Sequence, residues 1–149
     1  MTKLDEYLYF VARAFDGMLG ALAELGDRIN TKPGLDGANS PYAIVYHCAE
    51  VAEYWIGHVV AGRPTHRDRE AEFSAAGDLD ELRRRVAEVQ RRMRDDLARP
   101  DAEPVNRPDR SCQGPDLPLA RAGVQLHVLE ELAQHHGQLQ ITRDLLLVS

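Results

Sequence analysis

Glu131 and His135 stand four residues apart in "EELAQHHGQLQITRDLL", from Glu130 to Leu146. On a helix this spacing stacks two side chains on one face, with Cβ atoms about 5–6 Å apart. A carboxylate and an imidazole so placed can share one divalent cation. A metal needs at least a third donor, and His47 is the natural one, since it falls in the middle of a second helical pattern, flanked by Val45 and Val51. Imidazole and carboxylate ligands suit zinc, nickel, iron or manganese, and a three-ligand site leaves a position for water or substrate.

His127 also lies four residues from Glu131, yet its backbone is roughly 12 Å from that of His135 at the α-helical rise. It either joins the ion in a second arrangement or serves as a nearby acid/base or outer hydrogen-bonding group; the second role is the preferred expectation. His136 points about 100° away from His135 and cannot easily face the same ion. His58 shares a face with His47 but lies roughly 16 Å along the axis, in another layer. Each feature taken alone has a plainer reading. A Glu/His pair at this spacing can be a surface hydrogen bond, and a single histidine among apolar neighbours can be a satisfied core residue. Cys48 adjoins His47 but points to another side of its helix and reads as a small buried hydrophobe. Tyr54 and Trp55 read as core or cleft wall.

Other chemistries find no foothold. There is no HExxH, no glycine-rich phosphate cradle and no nucleophile elbow. Cys48 and Cys112 form no CxxC, so the pair suggests reduced thiols in a cytoplasmic protein more than a disulfide framework. A net charge of −6 argues against a surface that tracks nucleic-acid phosphates. No apolar run reaches the length of a membrane span. At 149 residues, 44% apolar and 28% charged, the chain is expected to be one domain, 1–149, with a real core.

The elements that must bring His47 to Glu131 and His135 are helices. Leu4, Tyr7, Leu8, Val11, Phe15, Met18, Leu22 and Leu25 predict a first helix from about Lys3 to Arg28. Ser40 and Pro41 form an N-cap and first-turn proline, so a second helix opens there and runs to a stop at Gly62, with Gly57 inviting a bend. Asp78 or Asp80 caps a third, with Leu79, Leu82, Val86, Val89, Met93 and Leu97 on one stripe and Pro100 closing it. The stretch from Pro100 to Pro118 carries five prolines and no periodicity, hence a long loop. The last helix covers roughly Leu119 to Leu147, with Val124, Leu126, Leu129, Leu132, Leu139, Ile141 and Leu145 apolar on more than one side. Four long helices and no strand alternation predict an all-α, four-helix bundle.

The segments "NSPYAIVYHCAEVAEYWIGHVVAGRP", "RDREAEFSAAG" and "LHVLEELAQHHGQLQITRDLL" together resemble the DinB-like superfamily, in particular its mycothiol S-transferase branch, related to mycothiol-dependent maleylpyruvate isomerase. The likeness runs in order over nearly the whole chain and rests on a histidine in the second helix and H-x3-E-x3-H-x-G in the last. It implies an up-down-down-up bundle, commonly a homodimer, with a divalent metal held by His47, Glu131 and His135. Many DinB relatives have histidine at the middle position; Glu131 follows the maleylpyruvate-isomerase-like relatives. The implied activity is metal-dependent S-transfer, in which a low-molecular-weight thiol such as mycothiol meets an electrophile, zinc holds the thiolate and His127 moves a proton. A thiol-dependent isomerase, a biosynthetic lyase or cyclase, and a non-catalytic metal-binding stress protein would share the same residues.

Overall fold

Side-chain caps set where the helices of this chain begin. The computed structural model describes residues 1–112 and 114–149 and is all-helical among them, with no strand. Thr2 caps helix α1 (Lys3–Leu25) and forms a reciprocal capping box with Asp5. Ser40 caps α2 (Pro41–Ala52) by accepting from the Ala43 amide at 3.1 Å, with Pro41 in the first turn as expected. Asp78, rather than Asp80, caps α4 (Leu79–Leu97), accepting from the Glu81 amide at 2.8 Å. The last helix, α5, spans Arg121–Leu147.

Three features differ from the sequence expectation. The first helix stops at Leu25, and Gly26–Arg28 form a single tighter turn after it, because Gly26 takes a positive φ of 60°. The second helix does reach the Gly62 region, and from Glu53 to Val60, a stretch that contains Gly57, it widens into a π-helix. Gly62, at φ 81°, then turns the chain away. A short helix, α3 (Arg69–Glu72), lies in the connector between α2 and α4. It is one turn long, too short for any hydrophobic period to announce.

The stretch between Pro100 and Pro118 includes a tight turn at Arg110–Cys112, and Gln113 within it lies outside the described residues. It is tied down rather than free. The amides of Val105 and Asn106 both donate to the Val59 carbonyl, at 2.8 and 3.2 Å, and Asn106 Nδ2 donates to the His58 carbonyl at 2.9 Å.

Helix α1 packs on α5, α4 and α2, and α2 packs on α5 and α4. Phe15, Met18 and Leu22 meet Val86, Val89 and Met93 and the inward row of α5 in one continuous apolar core. That row is Val124, Val128, Leu132, Leu139 and Leu146. Leu126 and Ile141 fall outside it and are 67% and 64% exposed, so the broad apolar character of α5 in sequence resolves into one buried stripe and scattered surface residues. Gly17 lets α1 approach α5 closely, since a Cβ there would run into the His136 ring. His136 therefore faces α1, as its 100° offset from His135 requires.

Candidate metal centre

His47 lies in the middle of α2 and is 5% exposed. Glu131 and His135 lie at the edge of the buried stripe of α5, where helix packing brings them opposite it. The three offer donor atoms that all lie within 4.8 Å of one another. Oε2 of Glu131 is 3.5 Å from Nε2 of His47 and 3.3 Å from Nε2 of His135. A tetrahedral ion with ligands at about 2.0–2.2 Å keeps its donors about 3.3–3.6 Å apart, so both spacings suit one small divalent cation. The imidazoles of His47 and His135 meet edge to face, with centroids 4.7 Å apart.

Each imidazole is anchored through its other nitrogen. Nδ1 of His47 lies 2.7 Å from Oε1 of Glu72, and Nδ1 of His135 lies 2.7 Å from Oε1 of Gln138. Carboxylate and amide oxygens accept, so both Nδ1 atoms donate, and both Nε2 atoms face Glu131, where they donate to its carboxylate while the rings are protonated and are the atoms a cation would take once the rings are neutral. Hydrogen bonds to His135 and then to His47 hold the Glu131 carboxyl well below the usual carboxylate range, although burial opposes this. Burial alone would lower the pKa of His47; its hydrogen bonds to Glu131 and Glu72 reverse that and raise it. Two imidazole nitrogens and an anionic carboxylate converging at this distance need a positive charge among them, supplied by the ring protons or by a metal cation.

Glu72 is almost sealed from solvent and is held from behind by Arg67, whose Nε and Nη2 donate to Oε2 and Oε1 at 2.7 and 3.1 Å. Burial would raise the pKa of Glu72, but His47 and Arg67 together bring it below the ordinary value. The Arg67 guanidinium lies over the Tyr54 ring, 5.2 Å from its centroid. The Tyr54 hydroxyl in turn accepts from the Asp109 amide at 2.7 Å, and burial pushes its pKa up to about 12. On the far side of Arg67, Tyr54, His58, Thr65, Arg107, Ser111 and Cys112 contribute to a polar cleft of about 430 Å³. A larger cavity of about 750 Å³ sits among Arg107–Arg110 and Gly114–Pro118, and neither it nor the polar cleft is lined by any of the three donors.

The remaining sequence candidates are placed as follows. His127 is buried edge-on against Trp55, with centroids 4.7 Å apart, and its Nδ1 is 3.4 Å from Glu130; it is not among the converging donors. His58 bonds through Nδ1 to the Arg63 carbonyl at 2.7 Å and lines the cleft, away from His47. Cys48 and Cys112 are both free thiols, the first fully buried. No helix among the described residues is long and apolar enough to cross a membrane. Glu72, Arg67 and Gln138 escaped the sequence reading. Gln138 could have been found, because it stands three residues after His135 on the same helix. Glu72 could not, because it is 25 residues from His47 on a segment without periodicity.

Such a scaffold, with two histidines and a glutamate projecting from facing helices toward one point, defines an all-helical protein with a candidate metal centre between its helices. The chain belongs to the mycothiol-S-transferase family, whose model, described as Mycothiol-S-transferase, matches residues 7–147. This bears out the likeness carried by the sequence motifs. No curated protein and no solved structure matches the chain.

Proposed function

We propose that this chain is a metal-dependent thiol S-transferase that joins a low-molecular-weight thiol, such as mycothiol, to an electrophile. The observation that carries the metal centre is the convergence of two Nε2 atoms and the Glu131 carboxylate, with both Nδ1 atoms already committed to Glu72 and Gln138. His47, Glu131 and His135 are the residues that would hold the ion, with zinc first among the candidates. A divalent cation bound there would lower the pKa of a thiol and keep the thiolate next to its electrophile at neutral pH. Family membership supports the thiol as co-substrate. We read α1, α2, α4 and α5 as a single-domain, four-helix bundle in the up-down-down-up order, which is consistent with their pairwise packing.

The chain's own residues divide the work. Glu72 and Gln138 keep the two imidazoles turned with Nε2 inward, so the donors are organised before any ligand arrives. Side chains of Glu131 and His135 are 25% and 24% exposed, which leaves the centre open on one side to an incoming molecule. The polar cleft beyond Arg67 gives room for the hydrophilic body of a small thiol. His127 is the proposed proton carrier, with its Nδ1 close to the Glu130 carboxylate. In the overall reaction the thiol S–H and the carbon–leaving-group bond break, a carbon–sulfur bond forms, and the proton departs with the leaving group or to solvent.

The test uses zinc-loaded protein with mycothiol and a panel of alkylating electrophiles, in parallel with His135→Ala and His47→Ala. Thiol consumption by the wild type, lost in both variants along with the bound zinc, is the expected result. Wild-type protein that binds zinc but consumes no thiol across the panel would favour the non-catalytic metal-binding reading instead.

A further inference from the structure

We infer that Arg67 and Glu72 act as one buried unit that positions His47, turning its Nε2 toward Glu131 and His135; the inference rests on the metal-centre reading above. Glu72 uses Oε1 to accept from Nδ1 of His47 at 2.7 Å, and both of its oxygens accept from Arg67. The side chains of Arg67 and Glu72 are only 3% and 2% exposed. Taking two charges out of water is expensive, and an apolar pair of similar volume would hold the fold at least as well. Stability therefore gives no reason for an ion pair here. Nor are its own hydrogen bonds complete, since Nη1 of Arg67 is buried and finds no acceptor among the described residues.

The connector carrying this pair is shaped around His47. Asp68 caps the one-turn helix α3 by accepting from the Ala71 amide at 3.2 Å, and that turn ends with Glu72 under the imidazole. The next residue, Phe73, lies nearly parallel to the His47 ring, with centroids 6.0 Å apart and planes at 21°. Arg69 covers the outer face of Phe73 at 5.3 Å. His47 is thus fixed at its edge by a carboxylate and on its face by an aromatic ring, both from one short segment.

The two charges have separate tasks. An ionised carboxylate only accepts, so it selects the imidazole tautomer that carries its proton on Nδ1. Arg67 offers Nε–H and Nη2–H in a fixed fork that matches both carboxylate oxygens, a geometry that lysine cannot reproduce, and so fixes the direction from which Oε1 of Glu72 meets Nδ1 of His47. Arg67 and Glu72 are accordingly positioning residues that act through His47.

The test compares wild type with E72Q, R67Q, R67K and the double variant E72Q/R67Q. Two readouts are taken: zinc affinity by calorimetry, and the His47 tautomer in metal-free protein by long-range proton–nitrogen correlation. E72Q and R67Q should each weaken zinc binding by about 10–100-fold, the range for outer-shell partners of metal-bound histidine. The double variant should be little worse than the worse single, because the two residues work as a unit. R67K should fall between, and the Nδ1–H signature of His47 should be lost in E72Q. Should E72Q fail to fold, R67K carries the same comparison. Variants that melt earlier yet keep the Nδ1–H tautomer and bind zinc within about twofold of wild type would overturn the inference and leave the pair a structural strut. Wild-type protein that binds no divalent cation would instead defeat the metal-centre reading, and the imidazole signature would still decide whether the pair orients His47.

Discussion

At the donor cluster each imidazole has one nitrogen committed and one presented, and the committing groups differ in depth. Glu72 is sealed, whereas Gln138 sits beside a histidine about a quarter exposed, where water can replace a lost acceptor. Gln138→Leu should therefore weaken zinc binding by about tenfold, the lower end of the range for an outer partner; calorimetric titration checks this, and an unchanged affinity would show that Gln138 orients nothing. The two thiols contrast in the same way. Cys48 has no solvent access, and burial pushes its thiol well above the ordinary range. Iodoacetamide should accordingly label the half-buried Cys112 in the folded protein and reach Cys48 only after denaturation, as peptide mass spectrometry would report. Cys48 was legible as a core residue in the sequence because it neighbours His47 on a helix, and adjacent helical positions face different ways.

Among the elements, caps and one close contact decide where helices begin and how near they lie. Ser40 is buried, and its hydroxyl satisfies the Ala43 amide at the start of the helix that carries His47. Ser40→Ala should lower stability by about 1 kcal/mol, measured by denaturant titration. At the start of α1, hydrogen bonds from the Thr2 backbone and side chain and from Arg94 lower the Asp5 pKa to about 2 from an ordinary 3.8. A carboxyl whose folded-state pKa is depressed stabilises the fold above its unfolded value and loses that contribution as pH falls through the folded value. The difference in stability between wild type and Asp5→Asn should thus be present above pH ~4 and vanish toward pH ~2. Gly17→Ala would drive a methyl into the His136 ring across the α1–α5 contact, an overpacking that should cost about 1–3 kcal/mol.

Across the whole molecule, the proposed ion would tie α2 to α5, two helices far apart in sequence that meet only in the folded chain. Zinc should therefore bind the native state and hardly the unfolded one. At a hundredfold excess over its Kd it should add about 2.7 kcal/mol of stability, or roughly 5–10 °C in melting temperature, removed again by a chelator. A melting temperature indifferent to zinc and to chelator would count against a site shared by these helices. Leu132 lies in the buried stripe that seats Glu131 and His135, and Leu132→Ala should cost about 2–5 kcal/mol, lowering the melting temperature with or without metal.

Local chemistry was enough for much of this protein. The helical class, the Ser40 cap, the choice of cap narrowed to Asp78 or Asp80 and the pairing of Glu131 with His135 on one helical face all depend on neighbours within four residues, and periodicity records such neighbours. The family likeness was legible for the same reason, being carried by motifs within single helices. Tertiary structure alone decided that Glu72 and Arg67 stand behind His47, that the second helix widens after Ala52, and that His127 turns into Trp55. Those outcomes depend on packing between segments distant along the chain, where a one-turn helix or a shift of one residue per turn leaves no repeating pattern to read.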